Sequence, residues 1–314
     1  LAVGVFCAGL VQLLFMLPFL ARLGVLPRPR WGVAHEGVRR IMRLMAPAVF
    51  GSSVAQINIL FDTLIASFLA TGSISWLYYS DRLLEFPLGV FAIALATVIL
   101  PGLSRHHAEQ SPEAFSATLD WALRLVAAIA VPAAVGLLVL AGPMIATLFN
   151  YGAFGGDDVR MARLSLMAYA LGLIAFTLVK VLAPGYFSRQ DMKTPVRIGV
   201  IAMLSNIVLN AVIVLPMVHF GITGPHAGLA LATGLAAAIN AGLLYRGLRR
   251  TGVYEPGAGW GWLASRLLVG NLVMAAVVAW LAWDRFHGVP PAVTERPAAS
   301  RDGVPRQVYY GPPN

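Results

Sequence analysis

The sequence predicts an all-α polytopic membrane protein, and three observations carry that expectation. Mean hydropathy is +0.75. Charged residues make up 12% of the chain and hydrophobic ones 58%, against about 25% charged in a soluble domain. Apolar runs long enough to cross a bilayer, about 20 residues each, recur eight times, with Lys and Arg gathered in alternate connections.

The first run, 1–22, is apolar from its first residue and lacks the basic leader of a signal peptide. Leu1 is not an initiator, so further residues are expected upstream. The lone Cys7 excludes an intrachain disulfide and is read as a small buried hydrophobe. The second run, 42–70, holds Asp62 at mid-span. The third, 74–101, opens with Trp76, Tyr78 and Tyr79, read as interfacial anchors, and carries Ser80–Pro87. The fourth, 117–142, is expected to be followed by a separate helical stub, Gly142–Asn150. The fifth is 160–185. The sixth, 195–217, follows a basic loop in which Thr194 is the expected N-cap and Pro195 opens the first turn. The seventh and eighth are 224–247 and 262–284. From about Gly288 the Pro-rich composition reads as a disordered tail. Pro18, Pro47, Pro87, Pro132 and Pro184 fall inside or at the ends of these runs, as in the broken helices that line transport paths.

Loop charge sets the orientation. Arg22, Arg28, Arg30, Arg39 and Arg40 lie around the first connection. Arg105 and Arg124 flank the third, Arg189, Lys193 and Arg197 the fifth, and Arg246, Arg249 and Arg250 the seventh. The second and sixth connections carry no Lys or Arg, and the fourth is acidic. Odd connections are therefore cytoplasmic. The net charge of +9 fits anionic lipid rather than nucleic acid.

Three constellations carry chemistry. In Ser80–Pro87, helical spacing puts Asp81, Arg82 and Glu85 within one arc of about 100°. An unscreened charge facing lipid costs at least about 2.5–3.5 kcal/mol, so this cluster is expected to face protein or water. Arg82 then reads either as a contact for phosphate or pyrophosphate, whose oxygens match its guanidinium fork, or as half of a structural ion pair with Asp81 or Glu85. The second constellation is Asp62 with Asn206, Asn210 and Thr233: oxygen donors at depth that suit sodium, or polar side chains that join helices. The third is Lys180 with the Ser188–Pro195 loop, a cytoplasmic gate or a solvated basic loop whose lysine snorkels. His106-His107 reads as a solvated loop pair. No Gly-rich phosphate loop ending in Lys-Ser/Thr is present, so neither an ATPase nor any other enzyme is expected.

Three stretches carry a family resemblance. They are Phe50–Asn58, Ala66–Pro87 and Lys180–Pro195, the last two being Ala-Ser-Phe-Leu-Ala-Thr-Gly-Ser-Ile-Ser-Trp-Leu-Tyr-Tyr-Ser-Asp-Arg-Leu-Leu-Glu-Phe-Pro and Lys-Val-Leu-Ala-Pro-Gly-Tyr-Phe-Ser-Arg-Gln-Asp-Met-Lys-Thr-Pro. Together they resemble the lipid II flippases, the MurJ/MviN family of the MOP exporter superfamily. The resemblance runs to about residue 285. It implies a MOP/MATE-like helical bundle of two six-helix lobes and two further helices, of which this chain holds the sixth through thirteenth. The implied divisions are a helix and basic loop at 1–41, the second six-helix lobe at 42–250, an additional helix at 251–287, and a tail of non-family character at 288–314. It further implies flipping of undecaprenyl-pyrophosphate-linked peptidoglycan precursor from the inner to the outer leaflet of the bacterial cytoplasmic membrane by alternating access. Arg82, Glu85 and Asp81 would meet the substrate, and Asp62, Asn206, Asn210 and Thr233 would form a sodium site. The expected partners are lipid II, membrane lipids and cell-wall synthesis proteins. A related exporter of polysaccharide-linked lipids or drugs is the alternative. Half a cavity is expected not to alternate access alone.

Overall fold

The computed structural model describes residues 2–24 and 36–286. The tail from Gly288, and Arg28 and Arg30 of the first connection, lie outside the described residues.

The elements run α1 Ala2–Arg22, α2 Glu36–Ser67, α3 Ser73–Pro87, a π-helical segment Leu88–Ile93, α4 Ala94–Ala108, α5 Pro112–Phe149, α6 Gly156–Phe187, α7 Lys193–His219, α8 Pro225–Arg250 and α9 Trp260–Phe286. The segment 73–108 is one rod with a wide turn at its middle, directly after Pro87. Proline removes a backbone donor and clashes with the preceding turn, and a π-turn absorbs that misfit.

Among the described residues, seven helical stretches are long and apolar enough to cross a membrane, and in α2 only the shorter piece Ser53–Ser67 is apolar. The chain is a multi-pass membrane protein. The sequence expectation of eight full spans is trimmed at α2, whose first turns carry Glu36, Arg39, Arg40 and Arg43. The expected stub Gly142–Asn150 is instead the end of an unbroken α5. Pro143 and Gly142 do not interrupt it, because in an apolar surrounding the backbone has no water to turn to. His106 and His107 belong to the last turn of α4 rather than to a loop.

The chain divides into two compact units, Leu1–Ala46 and Pro47 onward. In the first, Cys7 is exposed, contrary to the expectation of burial. In the second, α6 is the hub and packs against α3, α4, α5 and α8, while α7 lies on α8 and α9 on α5. Two cores result. One gathers Leu103, Leu119, Leu123, Leu182, Leu248 and Tyr254 toward the helix ends joined by the basic connections. The other gathers Trp76, Leu84, Leu137, Ile145, Leu166 and Leu173 toward the opposite ends. Small residues bring α6 and α8 together: a Cβ on Gly172 would stand 2.7 Å from Gly234 Cα. Backbone approach of this kind is how helices associate where no hydrophobic force separates them from lipid. The Tyr186 hydroxyl donates to Leu244 O at 2.7 Å and pins the other end of the same crossing.

Candidate functional site

α3 presents two opposite faces. Its buried face, Ser73, Trp76, Ser80, Leu83 and Leu84, is docked by specific bonds. Trp76 Nε1–H donates to Asp158 Oδ1 at 2.8 Å, and Asp158 Oδ2 accepts the Gly155 N–H at 2.9 Å, capping α6. The Ser80 hydroxyl is shared between Trp76 O and Ala162 O, each at 2.8 Å. Trp76 is thus a buried docking residue beside His226, with ring centroids 4.7 Å apart, and not the interfacial anchor expected from sequence. Its indole folds over Gly72, whose φ of +102° starts the helix and leaves no room for a side chain.

Docking that face turns Tyr78, Arg82 and Glu85 outward as one stripe at spacings of four and three. Arg82 Nη1 donates to Glu85 Oε2 at 2.5 Å, and the two side chains are 50% and 52% exposed. The guanidinium lies over the Tyr78 ring, 4.8 Å from its centroid. Asp81 stands within Coulombic range of both Arg82 and Glu85, but no hydrogen bond joins it to Arg82. The expected pair of carboxylates clasping Arg82 is therefore one carboxylate and one aromatic face. Arg82 is on an open surface of the lobe and is not sealed by packing. Its pair with Glu85 leaves guanidinium donors unused, because the fork carries five N–H groups.

The second cluster joins α2, α7 and α8. Asp62 Oδ1 accepts from Asn210 Nδ2 at 2.7 Å and from Asn206 Nδ2 at 3.0 Å. Its Oδ2 accepts from the Thr233 hydroxyl at 3.2 Å and from Asn58 Nδ2 at 3.3 Å. The four residues singled out in the sequence meet here. Asn58 is an addition: its Oδ1 also accepts from Asn206 Nδ2 at 2.9 Å. Its spacing of four from Asp62 on one helix was the available signal. Asn206 and Asn210 are each 1% exposed, and their Oδ1 atoms have no hydrogen-bond donor. A half-turn of each amide about χ2 would aim those oxygens at Asp62. One carboxylate, two amide oxygens and a hydroxyl then face one another, a donor set suited to a hard cation of low charge. Among the described residues no three His, Cys, Asp or Glu side chains converge as metal ligands.

Tyr169 on α6 is within Coulombic range of both Asp81 and Asp62.

A third polar centre went unnoticed in the sequence. Asp120 on α5 takes Arg124 Nε at 2.7 Å on Oδ2. Its Oδ1 takes the Tyr254 hydroxyl at 2.8 Å, Trp260 Nε1 at 2.8 Å and the Gly257 N–H at 3.2 Å. Arg124 Nη2 donates to Ala258 O at 2.7 Å. This clamp ties the α8–α9 connection to α5 and so sets where α9 begins. Burial and the Asp120 carboxylate push the Tyr254 phenol well above its ordinary value. Only the i, i+4 Asp–Arg spacing was visible beforehand. In the basic loop, Asp191 rather than Thr194 supplies the cap: its Oδ1 accepts the Thr194 N–H at 3.0 Å.

Comparison with known proteins adds a family. The profile described as lipid II flippase MurJ matches residues 1–292. A probable lipid II flippase MurJ of Vibrio cholerae is 55% identical over 280 residues, covering 89% of this chain and 52% of that protein. The lipid II flippase MurJ of Burkholderia cenocepacia is 40% identical, covering 92% of this chain and 56% of its own length. The chain thus spans about half the length of the curated relatives it matches. Among solved structures, a lipid II flippase MurJ in an inward closed conformation aligns with a TM-score of 0.60 at 24% identity, covering 85% of this chain and 59% of that one. An outward-facing MATE transporter of the MOP superfamily aligns with a TM-score of 0.57 at 18% identity, covering 76% of this chain and 52% of its own. These two likenesses show the fold, a MOP-type helical lobe.

Proposed function

The chain belongs to the MurJ family of lipid II flippases, and we propose that it supplies the half of such a flippase that grips the substrate's pyrophosphate and senses the coupling ion. The parent protein would carry the polyprenyl-pyrophosphate-linked peptidoglycan precursor from the inner to the outer leaflet of the cytoplasmic membrane. No bond is made or broken in this step. The lobe must hold an anionic headgroup, release it on the other side, and leave the lipid tail in the bilayer.

The observation that carries the reading is the open stripe Tyr78–Arg82–Glu85. A half-exposed Arg–Glu pair at i, i+3 is a weak contact, screened by its surroundings and easily exchanged. A diphosphate offers several oxygens in bidentate geometry and charge-assisted bonds roughly twice as strong as neutral ones. It can therefore take Arg82 from Glu85, and Glu85 can reclaim it after release. Glu85 is a placeholder that keeps the empty site neutral. Asp81, half buried behind them, biases the local charge.

The Asp62 cluster is the proposed cation site, and sodium is the ion whose size and charge fit its oxygens. The residues themselves hold the carboxylate in place now through amide N–H groups, and would turn amide oxygens inward for the ion.

The test is complementation. Arg82→Ala in the full-length protein, expressed at equal level, should fail to support growth of cells depleted of their own flippase. Arg82→Lys should be intermediate, since it keeps the charge but loses the fork. Normal growth of Arg82→Ala would refute the assignment.

A further inference from the structure

Below the Asp62 cluster, toward the cytoplasmic ends, α2, α4, α6, α7 and α8 enclose a partly open cavity of about 700 Å³. Its walls are mostly apolar, with two polar exceptions, Asn240 and Lys180. The register of three helices relates this cavity to the cluster. On α2, Gly51 and Val54 line it, and Asn58 follows one turn beyond Val54 on the same face. On α7, Gly199 lines it, and Asn206 follows two turns on. α8 runs the opposite way: Thr233 belongs to the cluster, and Asn240, two turns nearer the cytoplasm, lines the cavity. Seven residues of helix rise about 10 Å. The cavity is thus the space directly beneath Asp62, one helical repeat down.

Asn240 carries the second observation. Its Oδ1 is buried and has no hydrogen-bond donor, as do Oδ1 of Asn206 and Asn210. An unsatisfied buried amide oxygen costs about 1–3 kcal/mol and calls for a partner. Three such oxygens follow one another in the helix register, one in the cavity and two at the cluster. The wall is closely fitted: a Cβ on Gly51 would meet Val196 Cγ2 at 2.9 Å.

We infer that this cavity is the cytoplasmic vestibule of the cation site, with Asn240 as a way-station ligand for a hydrated monovalent cation and Lys180 as an electrostatic brake at its wall. The inference rests on the proposed cation site at Asp62 and extends it to a route. A cation entering from the cytoplasm sheds part of its water shell against the Asn240 oxygen, then passes about two turns to Asp62. The Lys180 ammonium hydrogen-bonds nothing among the described residues and repels the entering ion. It makes occupancy sensitive to ionic strength, since salt screens the repulsion.

The test uses the full-length protein in proteoliposomes and radioactive sodium, read as equilibrium binding and as release rate. Asn240→Leu should slow release about tenfold while equilibrium affinity changes less than about twofold, because a way-station alters the path and not the end states. Lys180→Gln should speed capture about two- to fifteenfold at low salt, the range for one charge at about 10 Å between water-like and protein-like dielectrics. Should Asn240→Leu fold poorly, Asn240→Asp is the second variant and should speed capture. A cysteine at 240 in an otherwise cysteine-free protein should react with a cationic thiol reagent added on the cytoplasmic side, and far more slowly from outside. Release rates unchanged in both Asn240 variants, or a cysteine reached first from outside, would overturn the route while leaving the Asp62 site standing. Sodium binding that survives Asp62→Asn, or no sodium binding in the unaltered protein, would overturn the site, and the route with it. That result requires no change at Asn240, so the two failures are told apart.

Discussion

Asp120 gives the sharpest stability prediction, because its two oxygens have separate tasks. Oδ1 accepts from Tyr254, Gly257 and Trp260, and Oδ2 accepts from Arg124. Asparagine in the same rotamer keeps an oxygen at the first position and places an amide donor against Arg124 at the second. It should lose one charge-assisted bond, about 1.5–3 kcal/mol. Alanine loses all four and leaves the Arg124 guanidinium, whose side chain is 29% exposed, with Ala258 O and the Trp260 ring. Breaking a buried pair from one side costs about 3–5 kcal/mol, and partial exposure puts Asp120→Ala toward the lower end of that range. The assay is denaturant-induced unfolding in detergent, with hydrogen exchange across residues 252–260 as the local readout. The order wild type, Asp120→Asn, Asp120→Ala should hold in both. Equal loss in the two variants would mean that charge alone, and not the Oδ1 fork, holds the connection. A loss below about 1 kcal/mol in Asp120→Ala would mean that the clamp is a surface pair, and the account of how α9 is placed would fall.

Other outcomes follow from the same geometry. Asp62→Asn should abolish sodium binding measured by isotope uptake, and Asn58→Ala should weaken it about tenfold by freeing the Asn206 amide, with protein stability near unchanged. Gly172→Ala should destabilise by about 1–3 kcal/mol, and more than Gly234→Ala, because its Cβ meets backbone at 2.7 Å rather than 3.1 Å; thermal unfolding in detergent ranks the two. Tyr254 has a raised folded-state value, so its stabilisation is complete below the unfolded phenol's titration near pH 10 and falls as pH rises beyond it. Tyr254→Phe should flatten that alkaline decline in an unfolding series from pH 8 to 11, at a cost near 1 kcal/mol below pH 10 that shrinks as pH rises beyond it.

The spans were legible because each is an apolar run, a local property of the chain. The convergence of Asp62, Asn206, Asn210 and Thr233 was legible because polar residues at membrane depth are few and need partners. Asn58 was overlooked although it stands one turn from Asp62. Trp76 was misread because an aromatic residue near a helix end looks the same whether it faces headgroups or docks on a neighbour, and Asp158, its partner, is 82 residues away. The Asp120 clamp has the same cause: three of its donors come from residues 134–140 positions later. The merged α5 was missed because Gly142-Pro143 is a stop signal in water and a tolerated interruption in lipid.

The two clusters differ in how they hold their charges, and that difference defines a division of labour. The Arg82–Glu85 pair is exposed and weak, so it exchanges partners at little cost. The Asp62 carboxylate sits in a shell of four polar side chains from three helices, so any change there must rearrange α2, α7 and α8 together. An exchange of partners at Arg82 therefore leaves the helices where they are, whereas a change at Asp62 reaches three of them at once.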